Sequence, residues 1–172
     1  LVNQLTNWFY GAGLEVTFVN GGVSGDTTAG GLARLSWSLT NDVSALVVAL
    51  GSNDVLRGFP PEVTKENLSA IIEIAESNKI PVLLIGTYAP GNYGEKYKLD
   101  FDAIFTDLVE EKNVAYIDSY LTPMLDHVEN GKDVSYLFQA DGLHPNPAGV
   151  EVIVEYISPQ ILRFLKKEKI IQ

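Results

Sequence analysis

The chain is 172 residues long and carries 22 Asp plus Glu against 12 Lys plus Arg, a formal net charge of −10 with its two histidines neutral. That length fits one domain, and with 46% of residues apolar and only 20% charged the chain has the apolar surface to bury a core and does not read as disordered. The charge repels phosphate backbones and anionic headgroups, so no nucleic-acid partner is expected, the one basic cluster being Lys166, Lys167 and Lys169; the absence of cysteine excludes disulfides, thiolate metal sites and a cysteine nucleophile.

Leu1, Leu5 and Trp8 recur at helical spacing with Phe9 beside them, which predicts a first helix ended by Gly11 and Gly13. Glu15 to Asn20 (EVTFVN) is β-branched and aromatic and predicts a strand, followed by the loop Gly21 to Thr28. Leu32, Leu35 and Leu39 mark a second helix. Ala45 to Leu50 (ALVVAL) is apolar on both faces, as a strand between two layers of helices must be, and a second loop follows it, Gly51-Ser52-Asn53-Asp54. Pro60-Pro61 opens a helix in which Leu68, Ile71, Ile72 and Ala75 keep the helical period, and Pro81 to Ile85 gives another buried strand. Phe101, Ile104, Phe105 and Leu108 make a helical stripe, and Val114 to Ile117 a strand. Val150, Ile153, Val154 and Ile157 open the last helix, with Asn146 as its N-cap, Pro147 in its first turn and Pro159 kinking or dividing it. No apolar run approaches the roughly 20 residues of a membrane-spanning helix. Helix and strand in alternation predict an α/β fold with a doubly wound parallel sheet, whose sites lie at the carboxyl ends of strands; both glycine-bearing loops fall at such ends.

A base that works near neutral pH is sought first among the histidines, and there are two, His127 and His144. His127, in Met124-Leu125-Asp126-His127-Val128, reads as part of a solvated helical surface. His144 stands in Asp141-Gly142-Leu143-His144-Pro145-Asn146, where an aspartate three residues earlier in a turn is able to hold one ring nitrogen and leave the other facing a cleft, the arrangement of a general base. A capping aspartate beside a surface histidine is the plain alternative; half of a metal site is another, weakened by the lack of further histidines and cysteines. At the two strand ends, a backbone N–H freed by Gly25 and the side-chain amide of Asn53 are donors suited to a developing oxyanion, while a turn glycine and a capping loop are the structural alternatives. The loop Gly21 to Thr28 matches neither glycine-rich phosphate motif and has no lysine near it.

Taken together, three blocks resemble the SGNH hydrolases, or GDSL lipase/esterase family, in the branch of bacterial thioesterase/lysophospholipase and arylesterase enzymes. They are Gly22-Val23-Ser24-Gly25-Asp26-Thr27, Gly51-Ser52-Asn53-Asp54 and Asp141-Gly142-Leu143-His144-Pro145-Asn146, and Gly30-Gly31-Leu32-Ala33-Arg34-Leu35, Leu56-Arg57-Gly58-Phe59 and Asn92-Tyr93-Gly94 add similarity to that branch. The resemblance implies a three-layer α/β/α sandwich with a flavodoxin-like parallel sheet of five strands. It also implies a hydrolase of carboxylic esters, with thioesters and lysophospholipids as further candidates, working through an acyl-enzyme without metal or organic cofactor on a small acyl ester. His144 is then the base, Asp141 its partner, and Gly25 and Asn53 the oxyanion hole, with the segment Tyr88 to Tyr97 as a candidate acyl-pocket wall. A periplasmic or extracytoplasmic setting is implied by the resemblance alone.

The family's nucleophilic serine belongs to a Gly-Asp-Ser-Leu block after its first strand, and no Gly-Asp-Ser occurs in the 172 residues. Ser24 and Ser52 stand nearest the implied donors, but the resemblance assigns both to the loops that present those donors. The expectation is a single SGNH-hydrolase-like domain whose central first strand and nucleophile lie upstream of Leu1, in roughly 25 or more further residues, since a missing central strand leaves two apolar edges unpaired. A catalytically inactive domain of this fold, binding acyl or glycan ligands without turnover, is the competing expectation.

Overall fold

The computed structural model describes residues 1–172, the side chain of Glu129 excepted. In chain order the elements are α1 (Val2–Gly11), α2 (Thr28–Ser38), β1 (Leu46–Val48), α3 (Ser52–Leu56), α4 (Pro61–Ser77), β2 (Val82–Ile85), α5 (Glu95–Lys112), β3 (Ala115–Ile117), α6 (Thr122–Glu129) and α7 (Pro147–Lys167), with short 3-10 turns at Gly91–Tyr93 and Ser135–Leu137. They form two compact units, Leu1–Asn20 with Tyr120–Arg163, and Gly21–Ser119 with Phe164–Gln172.

The second unit holds the sheet. Its strands are parallel in the order β1-β2-β3, with Leu46 opposite Val82 and Leu83 opposite Ala115. All four residues of β2 are buried, which explains why this strand reads as an unbroken apolar run. Val82 and Leu84 join a core with Leu35 of α2, Leu68, Ile71, Ile72 and Ala75 of α4, and Phe101, Ile104, Phe105 and Leu108 of α5; Leu83 and Ile85, pointing the other way, are buried too. Each of these Val, Leu, Ile and Phe side chains contributes roughly 1.5–3 kcal/mol by leaving water. Pro61 occupies the first position of α4, where its missing N–H costs nothing. Asn113 ends α5 in the left-handed region with φ of 52°.

In the first unit α1 and α7 are held together by Trp8 Nε1 donating to Glu155 Oε2 at 3.4 Å and Gln4 Nε2 donating to the Pro147 carbonyl at 3.4 Å. Leu5 and Phe9 of α1 are buried, as are Ile153, Val154, Ile157 and Ile161 of α7. The Phe18 ring packs edge-on to Phe9, centroids 5.1 Å apart.

Three expectations are corrected. Glu15 to Asn20 is not a strand: Leu14, Val16 and Phe18 are half-buried and Glu15, Thr17 and Val19 exposed, the period of a strand, yet no ladder joins this segment among the described residues. Alternation alone does not make a strand, because the backbone groups need a neighbour. The observed sheet therefore has three strands, with β1 at one edge and its Val47 38% exposed. The loop Gly51 to Asp54 contains the start of a helix, α3, made possible by Gly51 at φ of 112°, where a side chain would be strained and would press on the Phe105 ring. Of the two outcomes expected at Pro159, a kink or a division, the division is the one overturned; α7 runs through it, because the buried Ile157 and Ile161 on either side outweigh the roughly 3 kcal/mol that an interior proline costs. No helix among the described residues is long and apolar enough to cross a membrane.

Candidate active site

Asp141 and His144 sit on a hairpin closed by an antiparallel bridge between Phe138 and Pro145. Gln139 N–H donates to the His144 carbonyl at 2.8 Å and Gly142 N–H to the Gln139 carbonyl at 2.9 Å. Asn146 pins the hairpin to the helix behind it: its Nδ2 donates to the Tyr136 and Phe138 carbonyls, and its Oδ1 accepts from Gly149 N–H at the start of α7. Inside the turn, Asp141 Oδ1 accepts from the backbone N–H groups of Leu143 and His144 at 2.9 and 3.0 Å, and Oδ2 lies 2.8 Å from His144 Nδ1. The His144 N–H and ring and the Leu143 N–H hold the Asp141 carboxyl down at about 2, below its ordinary 3.8. An ionised carboxylate only accepts, so the Nδ1 proton is assigned to the side facing Asp141 and Nε2 is left as the basic nitrogen. Both side chains are exposed, 65% for His144 and 47% for Asp141, so the imidazole is open to a reactant.

Gly25 and Asn53 lie in the second unit on adjoining segments. Gly25 has φ of 76°, a conformation glycine adopts freely. Arg57, at the end of α3, donates through Nη2 to the Gly25 carbonyl at 2.8 Å. Asn53 occupies the second position of α3 and is half-buried. Neither the Gly25 N–H nor the Asn53 side-chain amide has a hydrogen-bond partner among the described residues, which leaves both as available donors. The loop before Gly25 is braced by Arg34, whose Nε meets Asp26 Oδ2 at 2.7 Å and whose Nη1 donates to the Gly21 carbonyl.

Several contributors escape a reading by residue type. Asp54 is 0% exposed and ties α3 to the start of α2, although in sequence it looks like an ordinary capping residue. Arg57 and Arg34 look like surface charges. Asn146 was legible as a helix cap, but its hold on the hairpin depends on carbonyls eight and ten residues earlier. The tyrosines of the segment Tyr88 to Tyr97 have partners of their own: Tyr93 donates to the Leu56 carbonyl at 3.0 Å and Tyr97 to the Phe59 carbonyl at 2.8 Å, and their rings continue into Phe101 and Phe105. Ser52 Oγ donates to Thr87 Oγ1 at 3.2 Å, and His127 lies half-buried on α6.

Residues 3–152 match the GDSL-like Lipase/Acylhydrolase family. An arylesterase of Vibrio mimicus is 36% identical over 89% of this chain and 74% of its own length. The Escherichia coli protein named thioesterase 1/protease 1/lysophospholipase L1 is 33% identical over 86% of this chain and 68% of its own. Among solved structures, the psychrotrophic esterase EstA from Pseudoalteromonas superposes with a TM-score of 0.86 at 30% identity, covering 96% of this chain and 87% of that one. The α/β fold class and the resemblance drawn from the three loops are thereby borne out, and the relatives are ester-hydrolysing enzymes by name. The chain belongs to the GDSL-like lipase/acylhydrolase family, the SGNH hydrolases.

Proposed function

We propose that this protein hydrolyses carboxylic esters through an acyl-enzyme, as one SGNH-hydrolase domain whose nucleophilic serine lies outside the 172 residues, upstream of Leu1. The serine hydroxyl attacks the acyl carbon and passes its proton to His144 Nε2. Asp141 holds Nδ1 and stabilises the imidazolium, and the oxyanion of the tetrahedral intermediate is met by the Gly25 N–H and the Asn53 amide. Collapse expels the alcohol, or thiol, which receives from His144 the proton taken from the serine. Water then attacks the acyl-enzyme with His144 again as base, and the carboxylic acid leaves as the serine proton returns.

The observation that carries this reading is the 2.8 Å contact between His144 Nδ1 and a carboxylate already fixed by two backbone N–H groups, because it sets the tautomer that general-base catalysis needs. Two unpartnered donors of the right kind on Gly25 and Asn53 add to it, as do relatives named arylesterase and thioesterase/lysophospholipase. Small aryl and acyl esters are accordingly the substrate class to try first. The second reading, an inactive acyl- or glycan-binding domain, is favoured only by the lack of a Gly-Asp-Ser in these residues. A fluorophosphonate probe separates them: an adduct on a serine of the full-length protein supports the esterase, and a full-length protein that binds ester without adduct or turnover supports the binding domain.

A further inference from the structure

Among the described residues Asp54 is the one charged side chain in the buried set, at 0% exposure, and the proposed reaction makes no direct use of it. Its Oδ2 accepts from the Thr28 backbone N–H at 2.9 Å and its Oδ1 from the Thr28 hydroxyl at 2.5 Å, with the Thr64 hydroxyl 3.5 Å from Oδ1. Asn67 Nδ2 donates to Thr28 Oγ1 at 3.1 Å, so that hydroxyl accepts on one side and gives its proton to the carboxylate on the other. Thr28 is the first residue of α2, Thr64 lies in the first turn of α4 and Asp54 in that of α3. A buried carboxylate is costly unless hydrogen-bonded. Here the positive ends of α2 and α4 and their donors compensate it, and in return it joins segments 26 residues apart in sequence.

We propose that Asp54 is a positioning residue for ester hydrolysis: by tying the start of α2, three residues after Gly25, to α3, one residue after Asn53, it sets the separation and direction of the two oxyanion donors. This rests on the reading of Gly25 and Asn53 as those donors. An oxyanion hole works only with its donors within about 2.7–3.1 Å of the charge, and a misplacement near 1 Å is able to cost about 100-fold in rate.

The test is made on the full-length protein with p-nitrophenyl butyrate, with kcat counted per folded molecule from near-ultraviolet circular dichroism. Asp54→Asn keeps the shape but turns an amide N–H toward one of the two Thr28 donors; expected is a loss of about 10- to 100-fold in kcat with KM within about twofold. Thr28→Val, which removes only the hydroxyl and reports even where Asp54→Asn folds poorly, is expected to lower kcat about 3- to 10-fold, and Thr28→Ser to restore it. Wild-type kcat in Asp54→Asn or Thr28→Val, beside a slowed Asn53→Ala, overturns the positioning role and spares the oxyanion assignment. Undiminished kcat in Asn53→Ala, or a wild-type protein without hydrolysis, overturns both.

Discussion

The two halves of the proposed machinery are built in opposite ways. Asp141 and His144 meet across three residues of chain on an exposed hairpin, whereas Gly25 and Asn53 are held by contacts spanning 26 to 32 residues, among them a fully buried carboxylate. The acid–base pair is thus a local device whose geometry is written into one turn. The donors are a tertiary device, and their alignment depends on how helices α2, α3 and α4 begin. Damage far along the chain is expected to reach the donors and leave the pair intact.

The largest effect is expected at the local pair. Replacing His144 with Ala in the full-length protein should lower kcat for p-nitrophenyl butyrate by about 10⁶-fold, since the base is lost outright; retained turnover would refute its role. Asn53→Ala should cost about 10²- to 10³-fold in kcat at nearly constant KM, because the amide is needed only as the oxyanion forms. A rise in KM with kcat intact would move Asn53 from the transition state to ground-state binding.

Smaller effects probe how the hairpin is held. Asn146→Ala removes the donors to Tyr136 and Phe138 and the cap of α7, and thermal unfolding should register a loss of about 0.5–2 kcal/mol; an unchanged melting curve would show that the bridge at Phe138 suffices. The smallest change is read by carboxyl NMR. The Asp141 carboxyl, folded at about 2 against an ordinary 3.8, lends the native state stability that is fully present above the ordinary value and is lost as pH falls through the folded one. In His144→Ala its midpoint should rise yet remain below 3.8, because the backbone N–H groups of residues 143 and 144 still donate. A wild-type midpoint at the ordinary value would remove the basis for the tautomer assignment.

What was legible in the sequence follows the same division. Helical periods such as Leu68, Ile71, Ile72 and Ala75, the all-apolar β2 and the Asp141–His144 spacing are local signals, and each survives in the structure. Glu15 to Asn20 carried an equally good strand pattern, but pairing depends on a neighbour, which no six-residue window contains. Asn53 was picked out as a candidate while its short helix was not, because five residues give too little period to read. Asp54 stayed hidden for the reason that makes it informative: an aspartate after an asparagine is common in turns, and only the arrival of Thr28, Thr64 and Asn67 around it reveals a buried junction.

The most direct measurement of the proposed chemistry is intact-mass and peptide-mapping analysis of the full-length protein after reaction with a fluorophosphonate. The assigned roles require a single adduct on a serine outside residues 1–172, formed rapidly in the wild type and hardly at all in His144→Ala. An adduct on Ser24 or Ser52, or none on a protein that still hydrolyses esters, would contradict them.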